Sequence, residues 1–132
     1  MKHAIFPFCL LLLATGCPSE PPEPEIYLHR LTAAPITTDA DVFNPVDGVK
    51  RIEMSSGVAV GLGCTEYCPD TTRGRCEDTR VEVSPEGLAE VHEAFLLDGR
   101  AGAVVLVAGD PGSGTVTISS PCARAEYRLD IR

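Results

Sequence analysis

From Val49 onward this chain is written in short alternating runs, cut off by glycine, proline or serine turns before a helix has room to form. Val49 to Met54 alternates and stops at Ser55-Ser56-Gly57. Val58-Ala59-Val60-Gly61-Leu62 follows and ends near Cys64. Arg80-Val81-Glu82-Val83-Ser84 places Val81 and Val83 on one side, as a half-buried strand does. Val91 to Leu97 and Ala103 to Ala108 are the most apolar runs, and the second has the continuous hydrophobicity of a strand pressed between layers. Thr115 to Ser119 and Tyr127 to Ile131 close the chain with period two. Seven such runs between residues 46 and 132 predict an all-β fold, a β-sandwich of about seven strands. Ser84-Pro85-Glu86 is a good helix start, so one short helical turn is expected over Pro85 to Glu90, with Gly87 preventing a longer one.

The first residues obey different rules. Lys2 and His3 precede the apolar run Ala4 to Ala14, which falls short of the roughly 20 apolar residues that a membrane-spanning helix needs. It reads as the core of a secretory signal peptide, residues 1 to 16. Leu13-Ala14-Thr15-Gly16-Cys17 resembles the lipobox of bacterial lipoproteins, with Ala14 where that family usually has Leu. The resemblance implies that Cys17 carries the lipid (palmitate or a similar acyl chain) and becomes the first residue of the mature chain. Two or three acyl chains, at about 0.8 kcal/mol per buried methylene, hold a protein on a bilayer durably. The alternative is an ordinary secreted protein cut near Gly16. Pro18 stands where the family's inner-membrane retention signal has Asp, which implies an outer-membrane, cell-envelope location. Residues 17 to 25 form a Pro/Glu-rich tether, extending near 3 Å per residue where polyproline-like.

Residues 26 to 45 read as a linker or an edge strand ending at Pro35. Within the following polar stretch Asp39, Asp41, Asn44 and Asp47 offer oxygen ligands, but their spacing is not that of an EF-hand loop. A solvated loop is the expectation, with no metal and no cofactor.

Charge narrows the partners. The chain has 11 Lys and Arg against 19 Asp and Glu, and without Lys2 the balance is 10 against 19, or −9. Nucleic acid demands a basic patch and is excluded. Beyond the leader the only lysine is Lys50, which reads as composition. Of the six cysteines, Cys9 leaves with the leader and Cys17 is assigned to lipid. Cys64, Cys68, Cys76 and Cys122 remain, an even number that points to two disulfides in an exported domain, with three pairings open. A four-thiolate zinc site is the competing reading, but the paired two-residue spacers of such sites are missing.

The final pattern, Ala103 to Ala108, then Gly109-Asp110-Pro111-Gly112-Ser113-Gly114, then Thr115 to Ile118 and a closing strand, resembles the last strands of bacterial immunoglobulin-like domains over residues 46 to 132. The core tryptophan of antibody-type domains is absent. The resemblance implies adhesion, spacing or protein interaction. If Val58 to Leu62 is the second core strand and Thr115 to Ser119 the sixth, it also implies a Cys64–Cys122 bridge across one rim and a Cys68–Cys76 bridge within the intervening loop. That loop, Gly63 to Asp78, carries Tyr67, Arg73 and Arg75, residue types enriched at interface hot spots, as binding candidates.

No catalytic set emerges. Ser113 lacks the nucleophile-elbow spacing, the glycine run around it lacks the lysine of a phosphate loop and reads as a hairpin turn, and His92-Glu93 has Leu96 where a zinc-protease motif needs its second histidine. The expected function is therefore not enzymatic. It is a lipid-anchored domain on a membrane that binds an envelope protein or a glycan. The alternative is a structural spacer or assembly subunit without a discrete ligand site.

Overall fold

The computed structural model describes residues 22–31, 39–69, 74–76, 78–95 and 101–132. Ten strands lie among these residues: β1 (Glu25–Arg30), β2 (Ala40–Phe43), β3 (Arg51–Met54), β4 (Ala59–Tyr67), β5 (Gly74–Arg75), β6 (Arg80–Ser84), β7 (Ala89–Phe95), β8 (Ala101–Ala108), β9 (Gly112–Ser119) and β10 (Arg124–Ile131). No helix among them is long and apolar enough to cross a membrane.

The strands form two sheets. The first has the order β1-β4-β8-β7, with β5 added beside the end of β4; the second has the order β2-β3-β10-β9-β6. The first sequence of neighbours is the A-B-E-D sheet of an immunoglobulin-type sandwich, and β10-β9-β6 is its G-F-C sheet. The fold is thus an immunoglobulin-like β-sandwich, as the alternation predicted, with more strands than expected and several of them longer. β3 joins the second sheet by pairing parallel to β10, Ile52 opposite Leu129.

Alternation fills the space between the sheets. Ile26 and Leu28 from β1, Ile52 and Met54 from β3, Val60, Leu62 and Cys64 from β4, Leu106 from β8, Val116 and Ile118 from β9, and Tyr127 and Leu129 from β10 are all buried. Each large aliphatic side chain removed from water contributes about 1.5–3 kcal/mol. Opposite residues on β10 and β3 carry the charges: Arg51, Glu53, Arg124, Glu126, Arg128 and Asp130 lie on the outer face of the second sheet in adjacent ion pairs.

Four expectations need correction. The sandwich does not start at residue 46, because β1 and β2 contribute Ile26, Leu28 and Ala40 to the same core; the edge-strand reading of this stretch is the right one for β1. Pro85 to Glu90 forms no helical turn. Gly87 takes φ +87°, outside the helical region, and the chain folds over so that Leu88 and Ala89 are buried. The Gly109 to Gly114 stretch is not a hairpin turn, since β8 and β9 belong to different sheets and the segment crosses between them. Its glycines permit close packing: a Cβ on Gly114 would overlap the Ser84 carbonyl and the Leu88 side chain. The fourth correction concerns the cysteines.

Candidate interaction surface at the stapled rim

β4 is longer than its glycines suggest. It runs through Cys64 to Tyr67, with Gly61 and Gly63 on the outer face under Leu31 and His29, where a Cβ on Gly63 would overlap the His29 ring. Cys64 is therefore a buried core residue inside the strand, and the loop that Cys64 was expected to open starts at Cys68. β5 folds back along β4, Arg75 opposite Thr65, and brings Cys76 beside Cys64.

The bridges are consequently Cys64–Cys76 and Cys68–Cys122, not the expected Cys64–Cys122 and Cys68–Cys76. Both are disulfides, so the four thiols are committed to each other. The physical reason for the exchange is the extension of β4 past Leu62 to Tyr67: Cys68, not Cys64, reaches the rim where the β9–β10 turn carries Cys122. The Ser120 hydroxyl shapes that turn by accepting from the amides of Cys122 and Ala123.

This rim holds the loop after β4 and the turn after β9, the places of the B–C and F–G loops that form one end of an immunoglobulin sandwich. β1 also begins here, since Glu25 pairs with Tyr67. The chain therefore enters the domain at the stapled rim, at Glu25, and the opposite end collects the Ser55–Gly57 turn, Gly109 and Arg132.

Of the predicted site residues, Tyr67 is the half-exposed last residue of β4, with its carbonyl 3.8 Å from Cys122 Sγ. Arg75 lies on β5. Arg73 and the lipidation candidate Cys17 lie outside the described residues. Glu66, which the sequence reading did not single out as a binding residue, places a carboxylate oxygen within 4.8 Å of Cys68 Sγ and Cys122 Sγ.

Along the open side of the sandwich, between β1 and the 44–50 loop, lies a cleft of about 620 Å³ lined by Tyr27, Leu28, His29, Asn44, Pro45, Val46, Lys50 and Thr65. β1 is an edge strand whose even-numbered residues turn their backbone groups away from β4. Side chains cap that row. The Tyr127 hydroxyl accepts from the Leu28 amide at 2.7 Å and donates to Asn44 Oδ1 at 2.6 Å; Asn44 Nδ2 donates to the Leu28 carbonyl at 2.8 Å. Lys50 Nζ reaches the Ile26 carbonyl at 3.4 Å and sits 4.6 Å from the Tyr27 ring centroid. Such caps block the pairing of a foreign strand. Both polar atoms of the Asn44 side chain are thereby engaged by the fold. Burial pushes the Tyr127 hydroxyl up to about 12, against the lowering effect of the Leu28 amide and with a smaller raising effect from Tyr27.

The remaining candidates occupy ordinary surface positions. His92 is exposed on β7, its Nε2 3.1 Å from Glu90 Oε2. The Ser113 hydroxyl donates to Asp130 at 2.7 Å. That bond is the main cause holding the Asp130 carboxyl below its usual range, helped by Arg128 and Arg132. Asp41 pairs with Arg30 at 3.6 Å. Lys50 was visible in the sequence as a lone lysine, but nothing there placed it between β1 and the Tyr127 ring.

No family model and no curated protein matches this chain. Among solved structures, a crystal structure of domains 4 and 5 of the S-layer protein SbsC is similar with a TM-score of 0.45 and 14% identity, over 70% of this chain and 53% of that one. The chain thus spans about half the length of that structure.

Proposed function

We propose that this protein is a lipid-anchored lipoprotein of the bacterial cell envelope, held on the outer membrane through Cys17, whose immunoglobulin-like domain is a recognition module for an envelope protein or a glycan. The observation that supports it best is the construction of the rim. Two loops at one end of the sandwich, the pair that carries recognition in immunoglobulin variable domains, are fastened to each other by Cys68–Cys122. A rigid scaffold that presents stapled loops reduces the entropy lost when a partner binds. Because β1 starts at this rim, the recognition face lies on the tether side, and its partner lies close to the membrane.

The test is an in-cell crosslinking pull-down of the tethered protein beside a version with Tyr67, Arg73 and Arg75 replaced by Ala. A partner lost with these side chains supports recognition by the rim; the same partners in both refute it. In parallel, Cys17→Ser should abolish partitioning into detergent, and unchanged partitioning would overturn the anchor. The second reading, a spacer or assembly subunit, draws on the outer face of the second sheet, where the charges neutralise one another in adjacent pairs. Assembly by strand addition would have to use an edge other than β1, whose backbone row is capped.

A further inference from the structure

Each arginine whose side chain is described has a carboxylate within ion-pair distance: Arg30 with Asp41, Arg51 and Arg132 with Glu53, Arg80 with Glu82, Arg124 with Glu126 and Arg128 with Asp130. Lys50 is the exception. Among the described residues no carboxylate pairs with it, although the chain has 19 acids against 11 basic residues. Its ammonium has three donors, and the protein engages it with one carbonyl at 3.4 Å and two ring faces, Tyr27 at 4.6 Å and Tyr127 at 5.9 Å. Lys50 thus stands in a half-open cleft with no carboxylate in ion-pair contact; the Glu25 carboxylate accepts from the Tyr27 hydroxyl instead.

We propose that this cleft is a binding site for an acidic sugar residue of the uronate class, with its carboxylate on Lys50. Three features select that ligand. A single lysine, without a second cation, matches a singly charged carboxylate better than a phosphate, which carries close to two charges. Tyr27, Pro45 and the wholly exposed Val46 give the cleft apolar wall against which a ring can lie. Thr65 and His29 line the same cleft and supply hydrogen-bonding groups of the kind that meet sugar hydroxyls. The volume, about 620 Å³, accommodates one or two sugar units. The site lies beside β1 and depends neither on the lipid anchor nor on the residues of the stapled loop.

The test is titration of the full-length protein with a galacturonate trimer, a neutral galactose trimer and an aspartate-rich peptide, followed by calorimetry and by NMR of the Tyr27, Lys50 and Thr65 amides. The acidic trimer should bind with a Kd of roughly millimolar order and shift these three amides. The neutral trimer should bind at least about tenfold more weakly, and added salt should weaken the acidic one, as for any exposed charge pair. Lys50→Gln should lose about tenfold in affinity and Lys50→Arg should retain most of it. Thr65→Val, which leaves the cation in place, should also weaken binding, so the proposal stays testable if Lys50→Gln does not fold. Equal binding of the neutral trimer, tighter binding of the peptide, shifts confined to other residues, or no binding would each overturn the assignment. A null pull-down with the Tyr67, Arg73 and Arg75 variant would leave this result untouched, so the two proposals fail separately.

Discussion

Cys64–Cys76 and Cys68–Cys122 begin four residues apart, the first inside β4 and the second just past its end, yet they constrain the molecule differently. The first spans 12 residues and joins β4 to a segment already paired with it through β5, and both of its cysteines are buried. The second spans 54 residues and ties the end of the first sheet to the turn of the second, half-exposed at the rim. One bridge repeats what backbone pairing already does. The other supplies a covalent connection between the two sheets. The difference teaches that a crosslink should be valued by what it is redundant with, not by how well it is buried.

That comparison gives an ordered set of expectations. Cys68→Ser with Cys122→Ser should lower stability most, by about 4 kcal/mol in the chain-entropy account, measured by urea unfolding with the other bridge intact. Cys64→Ser with Cys76→Ser should cost about 3 kcal/mol, and the accompanying rise in hydrogen exchange should stay within β5 and the end of β4. The comparison breaks if the second pair proves the costlier or if its exchange spreads to β9 and β10.

Tyr127 is the non-covalent counterpart of the inter-sheet bridge, reaching from β10 to the Leu28 amide on β1. Its hydroxyl titrates at about 12 rather than the usual 10. The raised value means that the neutral phenol is favoured by folding, so this stabilisation is complete below pH 10 and is lost as the pH climbs toward 12. The loss is on the order of 2–3 kcal/mol. Tyr127→Phe should flatten this part of an alkaline unfolding curve and, by leaving the Leu28 amide without its acceptor, cost about 1–3 kcal/mol at neutral pH. An unchanged alkaline limb in Tyr127→Phe would remove Tyr127 from the account. The smallest effect belongs to Lys50→Met, about 0.5–1 kcal/mol from the lost contact with the Tyr27 ring, read from the same urea curves.

Much of this architecture was legible because period-two alternation is a local property. Thr115 to Ser119 and Tyr127 to Ile131 alternate in the sequence and alternate in burial on β9 and β10. The presence of two disulfides was legible from an even cysteine count. Their pairing was not, because it turns on where β4 ends, and nothing local in the sequence shows that the strand runs on past Gly63, where His29 and Leu31 pack over the glycine. The start of the sandwich was missed for a related reason. Ile26 and Leu28 look like a linker's two apolar residues until β4 pairs with them. The Lys50 cleft was invisible altogether, since β1, the 44–50 loop and β10 meet only in the folded chain.

The placement of β1 also fixes how the domain answers to force. The chain enters at the rim, where Glu25 faces Tyr67, and the last strand leaves at the far end, where Arg132 meets the Ser55–Gly57 turn. A pull between the two ends of the domain loads the whole β1–β4 ladder in shear, all of its hydrogen bonds at once. A pull between Glu25 and something gripping Cys68, its neighbour at the rim, instead peels β1 away one bond at a time, and the Ile26 contact with Lys50 and the Leu28 contact with Tyr127 are the first side-chain caps in its path. The same strand is therefore strong toward one direction of load and yielding toward the other.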